Sequence, residues 1–255
     1  MNKTKIEWTD YSWSPITGCL GPDGKGCCPY CYARRIANPL APKGNVLWSS
    51  REVAPGCYEA GKGDVFPYGF APTFYPHRLE EPLKVKKPSR IFVCSMGELF
   101  GDWVPVEWQE MVYDTMRRAP WHIFIILTKW PEQMLLRLPW IETPAPNIWH
   151  LVSCENQETW DKRVPELLKL RKHGWRVLGV SVEPMLGEIE PHGIENLDWL
   201  ILGGQSPPSA SQPKYEWIRG INSYALGYGL PVFEKKNLRP VLGDNLRQEW
   251  PQEPK

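Results

Sequence analysis

At 255 residues, with 42% hydrophobic and 23% charged residues, the chain has the composition of an ordinary globular protein and is long enough for one large α/β domain. It lacks the run of about eighteen apolar residues that a membrane-spanning helix needs, so a membrane partner is excluded from the expectation. A formal net charge of +1 excludes a bulk field that would pull the chain onto nucleic acid, while leaving room for local patches.

The segment from Met1 to Glu7 carries no apolar stretch and no small-residue cleavage site, so the expected location is the cytoplasm. In that reducing compartment seven cysteines, four of them between Cys19 and Cys31, read as metal or redox ligands rather than as disulfides. Glycines and prolines between Gly18 and Cys31 let a short loop fold back so that several sulfurs face one centre. Cys28 and Cys31 have the two-residue gap that suits joint ligation. A structural zinc held by four sulfurs is one reading. The adjacent Cys27 and Cys28 fill two tetrahedral positions poorly, however, and three ligands with one bystander fit the loop better. Cys19, Cys28 and Cys31 are the expected ligands, with Cys27 as the alternative, a count that suits an iron-sulfur cluster with one iron left open.

Residues 36–89 are dense in Pro, Gly and aromatics and predict a long ordered loop with at most short helices. Beyond them, apolar β-branched and aromatic runs predict strands at Arg90 to Cys94, His122 to Leu127, Asn147 to Cys154, Arg176 to Val182, Leu197 to Leu202 and Leu230 to Phe233. Helical spacing falls between most of them. One helix is expected through Trp108 and Ala119, one from Pro131, one from Glu158 to His173 that Pro165 divides, and one from Tyr215 to Tyr228 weakened by Gly220 and Gly227. The polar tail at 237–255 either wraps the body or stays mobile. This alternation predicts an α/β fold, a partial or complete (β/α) TIM-type barrel with an N-terminal cysteine-rich cluster loop, as a single domain over 1–255.

In such folds chemistry gathers just beyond the carboxyl ends of the strands. The candidates in chain order are Gly97 and Glu98, Lys129, then Ser153, Glu155 and Asn156, then Glu183, Gly203, Gly204 and Lys235. Glu98 also reads as a cap and Glu183 as half of an ion pair. Trp8 and Trp13 read as core and His77 as structural, while Lys84, Lys86, Lys87 and Arg90 read as a solvated face.

The sequence resembles a phage- and prokaryote-associated three-cysteine-motif family of unknown function, regarded as radical SAM-like. The resemblance is carried by Lys5 to Asp10 with Trp13 and Pro15, Gly18-Cys19, Cys28 to Ala33, Pro72 to Phe74, and His77 to Leu79. It continues through Ile91 to Asp102, Leu127 to Lys129, Val152 to Gln157, Val182 to Pro184 and Asp198 to Gly204. Radical SAM enzymes bind a 4Fe-4S cluster through three cysteines and S-adenosylmethionine (SAM) at the fourth iron. One electron then cleaves SAM to a 5′-deoxyadenosyl radical. The resemblance therefore implies both cofactors and an external electron donor. Tyr30 supplies the aromatic residue expected before the last cysteine, whereas the eight residues between Cys19 and Cys28 depart from the usual first gap. Gly97 and Glu98 resemble the element that meets the SAM amino group. Ser153, Glu155 and Asn156 suit its ribose, and Lys129 a carboxylate. Lys235 matches a family lysine, but Lys236, Asn237 and Leu238 depart from the family's continuation. Phage association suggests a nucleic acid or nucleotide substrate. The rivals are a zinc-containing nucleic-acid-binding protein and a metal-assisted nuclease or hydrolase using Glu98, Glu155 and Glu183.

Overall fold

A computed structural model describes residues 1–22, 28–40, 51–141, 144–206 and 211–252. The chain forms two compact units, one of Met1–Lys5 with Thr9–Phe124 and one of Ile6–Trp8 with Ile125–Lys255. No helix among the described residues is long and apolar enough to cross a membrane.

The first unit contains strands β1 (Asn2–Lys3), β2 (Tyr11–Trp13) and β3 (Ile16–Thr17), helix α1 (Tyr32–Leu40), and strands β4 (Arg51–Ala54), β5 (Cys57–Glu59) and β6 (Thr73–Phe74). Helix α2 (Glu81–Lys84), strand β7 (Arg90–Val93) and helix α3 (Val106–Arg118) come next. Strand β8 (Ile123–Thr128) leads into the second unit, which holds α4 (Pro131–Ile141), β9 (Ile148–Ser153), α5 (Gln157–Leu168) and β10 (Leu178–Val182). It is completed by β11 (Trp199–Leu202), α6 (Tyr215–Gly227), β12 (Val232–Glu234) and α7 (Arg239–Leu242).

The larger sheet has the order β1-β2-β7-β8-β9-β10-β11-β12, with β1 antiparallel to β2 and β2 parallel to β7. The pairs β9–β10, β10–β11 and β11–β12 are likewise parallel. Every residue of β9, β10 and β11 is buried, as parallel strands covered on both faces require. Among the described residues the order has two ends, with no pairing of β1 to β12. The outer edge of β12 is already taken. Gln248 pairs antiparallel with Phe233, Glu234 N donates to Arg247 O at 2.7 Å, and Glu249 N donates to Val232 O at 3.0 Å. The tail at 237–255 thus docks, through residue 252, by satisfying backbone groups that an edge strand leaves open.

Residues 36–89 hold more than loop. They contribute β4, β5 and β6, which join β3 in a second sheet of order β3-β6-β5-β4. Strands of two to four residues show no alternating period, and the parallel β5–β6 pairing is non-local, so the sequence carried no signal for them. Pro165 lies inside α5 without dividing it. The tightening to a 3-10 turn comes at Lys169–His173 and ends on Gly174, which has φ +86° as a left-handed cap.

Trp8 and Trp13 are buried as expected. In the first unit Trp13 donates through Nε1 to Arg78 O at 2.8 Å. In the second, Trp199 meets Trp8 and Trp149 edge-on at 6.0 and 5.9 Å. His150 on β9 is fully buried against Trp175 at 4.3 Å, and burial pushes its imidazole from 6.5 down to about 3. Between those values the unfolded chain binds a proton that the folded chain does not. This contribution to stability is therefore complete above pH 6.5 and lost as the pH falls from there toward about 3. Urea unfolding of the wild type is expected to weaken by up to about 1.4 kcal/mol per pH unit across that window from this group. His150→Phe should flatten that part of the slope; an unchanged slope would assign it elsewhere.

Candidate functional site

The described cysteines fall into two classes. Cys57, Cys94 and Cys154 are buried, whereas Cys19, Cys28 and Cys31, the expected ligands, are half-exposed. Burial pushes the Cys94 and Cys154 thiols up to about 12, and Cys57 donates to Trp103 O at 3.2 Å, so these three are inert packing thiols. Cys27 lies outside the described residues. Cys19 and Cys31 pack against the same small cluster of Ala33, Ala37 and Phe70. Each sulfur faces a backbone donor: Gly21 N donates to Cys19 Sγ at 3.2 Å and Arg34 N to Cys31 Sγ at 3.4 Å. Cys31 N donates to Cys28 O at 3.0 Å, which turns the two-residue gap into a tight bend before α1. Among the described residues no three His, Cys, Asp or Glu side chains gather as for a single metal ion. In donor chemistry the loop fits an iron-sulfur group: soft thiols, partly open to solvent, with N–H groups aimed at sulfur.

The same unit brings Gly97 and Glu98 to this loop. Gly18 and Gly97 form a parallel bridge, Gly18 N donates to Met96 O at 2.9 Å, and Glu98 N donates to Gly18 O at 3.1 Å. Both glycines are required by close backbone, Gly97 by the facing Thr17–Gly18 segment and Gly18 by Ala71 and Pro72. Gly18 has φ +86° and a Cβ there would lie 2.3 Å from Ala71 O, while a Cβ on Gly97 would lie 2.8 Å from Thr17 C. Strand β7 stops one residue short of the expected Cys94 because Cys94 turns to φ +55°. The buried Glu98 carboxylate accepts from Phe100 N at 3.0 Å, which closes a local bend rather than capping a helix.

In the second unit the strand ends form two charged groups. After β8 and β9, Lys129 pairs with Glu155 Oε1, Ser153 Oγ donates to the same oxygen at 3.4 Å, and Arg163 donates to Oε2 at 2.9 Å and to Ser153 O at 2.6 Å. Arg163 was missed by the sequence reading. It sits on α5 beside the buried Trp160, Val164 and Leu167, and a charged residue within such an apolar stripe is the signal that marks it. Asn156, expected at a ribose, instead caps α5: its Oδ1 accepts from Thr159 N at 3.0 Å, because the first turn of a helix has N–H groups with no partner in the helix.

After β10, β11 and β12, Glu183 pairs with Lys235, the ion pair that was its bland reading. Gly203 and Gly204 do not lie open to a ligand. A Cβ on Gly203 would come within 3.1 Å of both Glu183 Cδ and Lys235 Cδ, and one on Gly204 within 2.6 Å of Gln212 Oε1. The ion pair itself needs the first glycine. Asn237, which departs from the family pattern, holds Gly204 from both sides: Nδ2 donates to Gly204 O at 2.8 Å and Oδ1 accepts from Gly204 N at 3.1 Å. Glu155 and Glu183 are each matched to cations, and Glu98 accepts from a backbone donor.

No curated protein matches the sequence. A solved structure of spore photoproduct lyase shares the mixed α/β fold with its large parallel sheet. A mutant with bound AdoMet and dinucleoside spore photoproduct has a TM-score of 0.50 at 12% identity, covering 80% of this chain and 59% of that one. Another mutant, with dinucleoside spore photoproduct, has a TM-score of 0.48 at 13% identity, covering 87% and 62%. The chain thus spans about three fifths of those lyase chains, and at this identity the likeness is one of fold. A family model, described as Protein of unknown function (DUF5131), matches residues 3–238, and the chain belongs to that family.

Proposed function

We propose that the protein is a radical SAM-type enzyme in which Cys19, Cys28 and Cys31 hold a 4Fe-4S cluster. The observation that carries this is the joining of Gly18, next to Cys19, with Met96, Gly97 and Glu98 at the end of β7. The cysteine loop and the element expected to meet the methionine end of SAM are two sides of one backbone ladder. The fold shared with a lyase that binds AdoMet supports the same reading. When bound, the reduced cluster supplies the electron that cleaves SAM to methionine and a 5′-deoxyadenosyl radical.

The chain's own residues then have defined tasks. The thiolates of Cys19, Cys28 and Cys31 would hold the cluster, and the N–H groups of Gly21 and Arg34 would stabilise charge on the sulfurs of Cys19 and Cys31. The Glu98 carboxylate is occupied by Phe100 N, so the peptide groups around Gly97 are the proposed donors and acceptors for SAM. In the second unit Lys129 and Lys235 keep partly exposed ammonium groups at strand ends, balanced by Glu155 and Glu183, where they suit an anionic ligand. As substrate class we propose a nucleic acid or nucleotide, since the lyase of similar fold holds a dinucleoside beside AdoMet. An external electron donor would supply the electron.

Anaerobic protein given dithionite and SAM should release 5′-deoxyadenosine and methionine, slowly in the absence of substrate. An intact cluster that binds no SAM would replace this function with electron transfer or a structural role.

A further inference from the structure

The turn closing β7 bonds to both ends of the cysteine loop, and the second of those bonds is made by a side chain. At one end lies the Gly18 ladder. At the other, Tyr32 OH donates to Ser95 O at 2.5 Å. Other contacts hold the turn: Gly97 N donates to Cys94 O at 2.9 Å, Met96 N to Ser14 Oγ at 3.3 Å, and the Ser14 and Ser95 hydroxyls lie 3.4 Å apart.

Tyr32 directly succeeds Cys31 and opens α1. The residue is 42% exposed, so core packing does not account for an aromatic there. The helix itself buries only Ala33 and Ala37, two small side chains that remove little apolar area from water. A helix anchored so lightly gains its position from directional bonds, and the phenol-to-carbonyl bond sits at the residue after the last cysteine.

We propose that Tyr32 is a positioning residue: its hydroxyl ties Cys31 to the Ser95 carbonyl, and so fixes the last cysteine of the loop against the turn that already fixes the first. The cluster as the group being positioned rests on the radical SAM reading; the tether is a property of the metal-free chain.

Tyr32→Phe keeps the ring and removes the bond. In metal-free protein, amide hydrogen exchange at residues 31–36 should quicken about five-fold, the worth of one such bond, with β9, β10 and β11 unchanged. In reconstituted protein, iron should be lost to a chelator about five-fold faster, and the electron paramagnetic resonance signal of the reduced cluster should respond differently to SAM. Tyr32→Ala should behave no better than Tyr32→Phe if the hydroxyl is what matters. Unchanged exchange at 31–36 overturns the tether. Faster exchange throughout the protein makes Tyr32 a general stability contact and overturns the positioning role. Faster local exchange with unaltered iron retention and spectrum also overturns it. A wild type that retains no iron and sulfide overturns the radical SAM reading instead, and with it the positioning claim, while the exchange arm still decides whether the tether exists.

Discussion

Replacing Cys19, Cys28 or Cys31 with serine is expected to abolish stable cluster assembly, while the same change at Cys57, Cys94 or Cys154 leaves it intact. A hydroxyl is nearly the size of a thiol but is a hard ligand with little affinity for iron in a cluster, so each change removes one of three anchors. The three control cysteines are buried, and two of them have thiols held near 12, far from the thiolate form that ligation needs. Cys27→Ser is expected to retain the cluster, because Cys28 keeps the two-residue gap to Cys31 and bends back onto it. Iron and acid-labile sulfide per chain, measured after anaerobic reconstitution, check the whole series. If Cys27 proved essential and Cys28 silent, the ligand set would shift to a three-residue gap. If all four were required for one metal, a closed zinc site would take its place.

Gly18→Ala is expected to cost about 3 kcal/mol or more of stability, since it adds left-handed strain to a clash with rigid backbone. The added Cβ would meet Ala71 O at 2.3 Å and the carbonyl carbon behind it at 2.4 Å, and neither atom is the end of a flexible side chain. The chain must then move Gly18 away from Ala71, which disturbs its bonds to Met96 and Glu98 and shifts the adjoining Cys19. Denaturant midpoints should fall sharply. Gly220→Ala, on α6 where nothing lies within 4 Å, should stabilise slightly by helix propensity and serves as the control. Equal behaviour of the two variants would remove the argument that Gly18 is fixed by close approach.

The alternation after residue 90 was legible because its strands are buried on both faces and its helices carry apolar stripes at the right spacing. The two- and three-residue strands of the first unit were not, because so short a run has no period and its partner lies far away in sequence, as for Tyr11–Trp13 beside β7. The strand-end rule found Lys129, Ser153, Glu155, Glu183 and Lys235, which do group at the carboxyl ends, because parallel register sets those positions side by side. Of its other candidates, Asn156 caps a helix, and Gly203 leaves room for the ion pair of Glu183 with Lys235. Arg163 escaped because it reaches the site from a helix rather than from a strand end. The joining of Gly18 to Gly97 was beyond any spacing rule, since it is a backbone pairing across most of the first unit.

The central claim is that this cysteine loop holds a redox cluster rather than a structural ion. Iron, acid-labile sulfide and zinc analysis of the anaerobically reconstituted wild-type protein tests it most directly. About four irons and four sulfides per chain with negligible zinc are expected; stoichiometric zinc without sulfide would make the loop a structural zinc site instead.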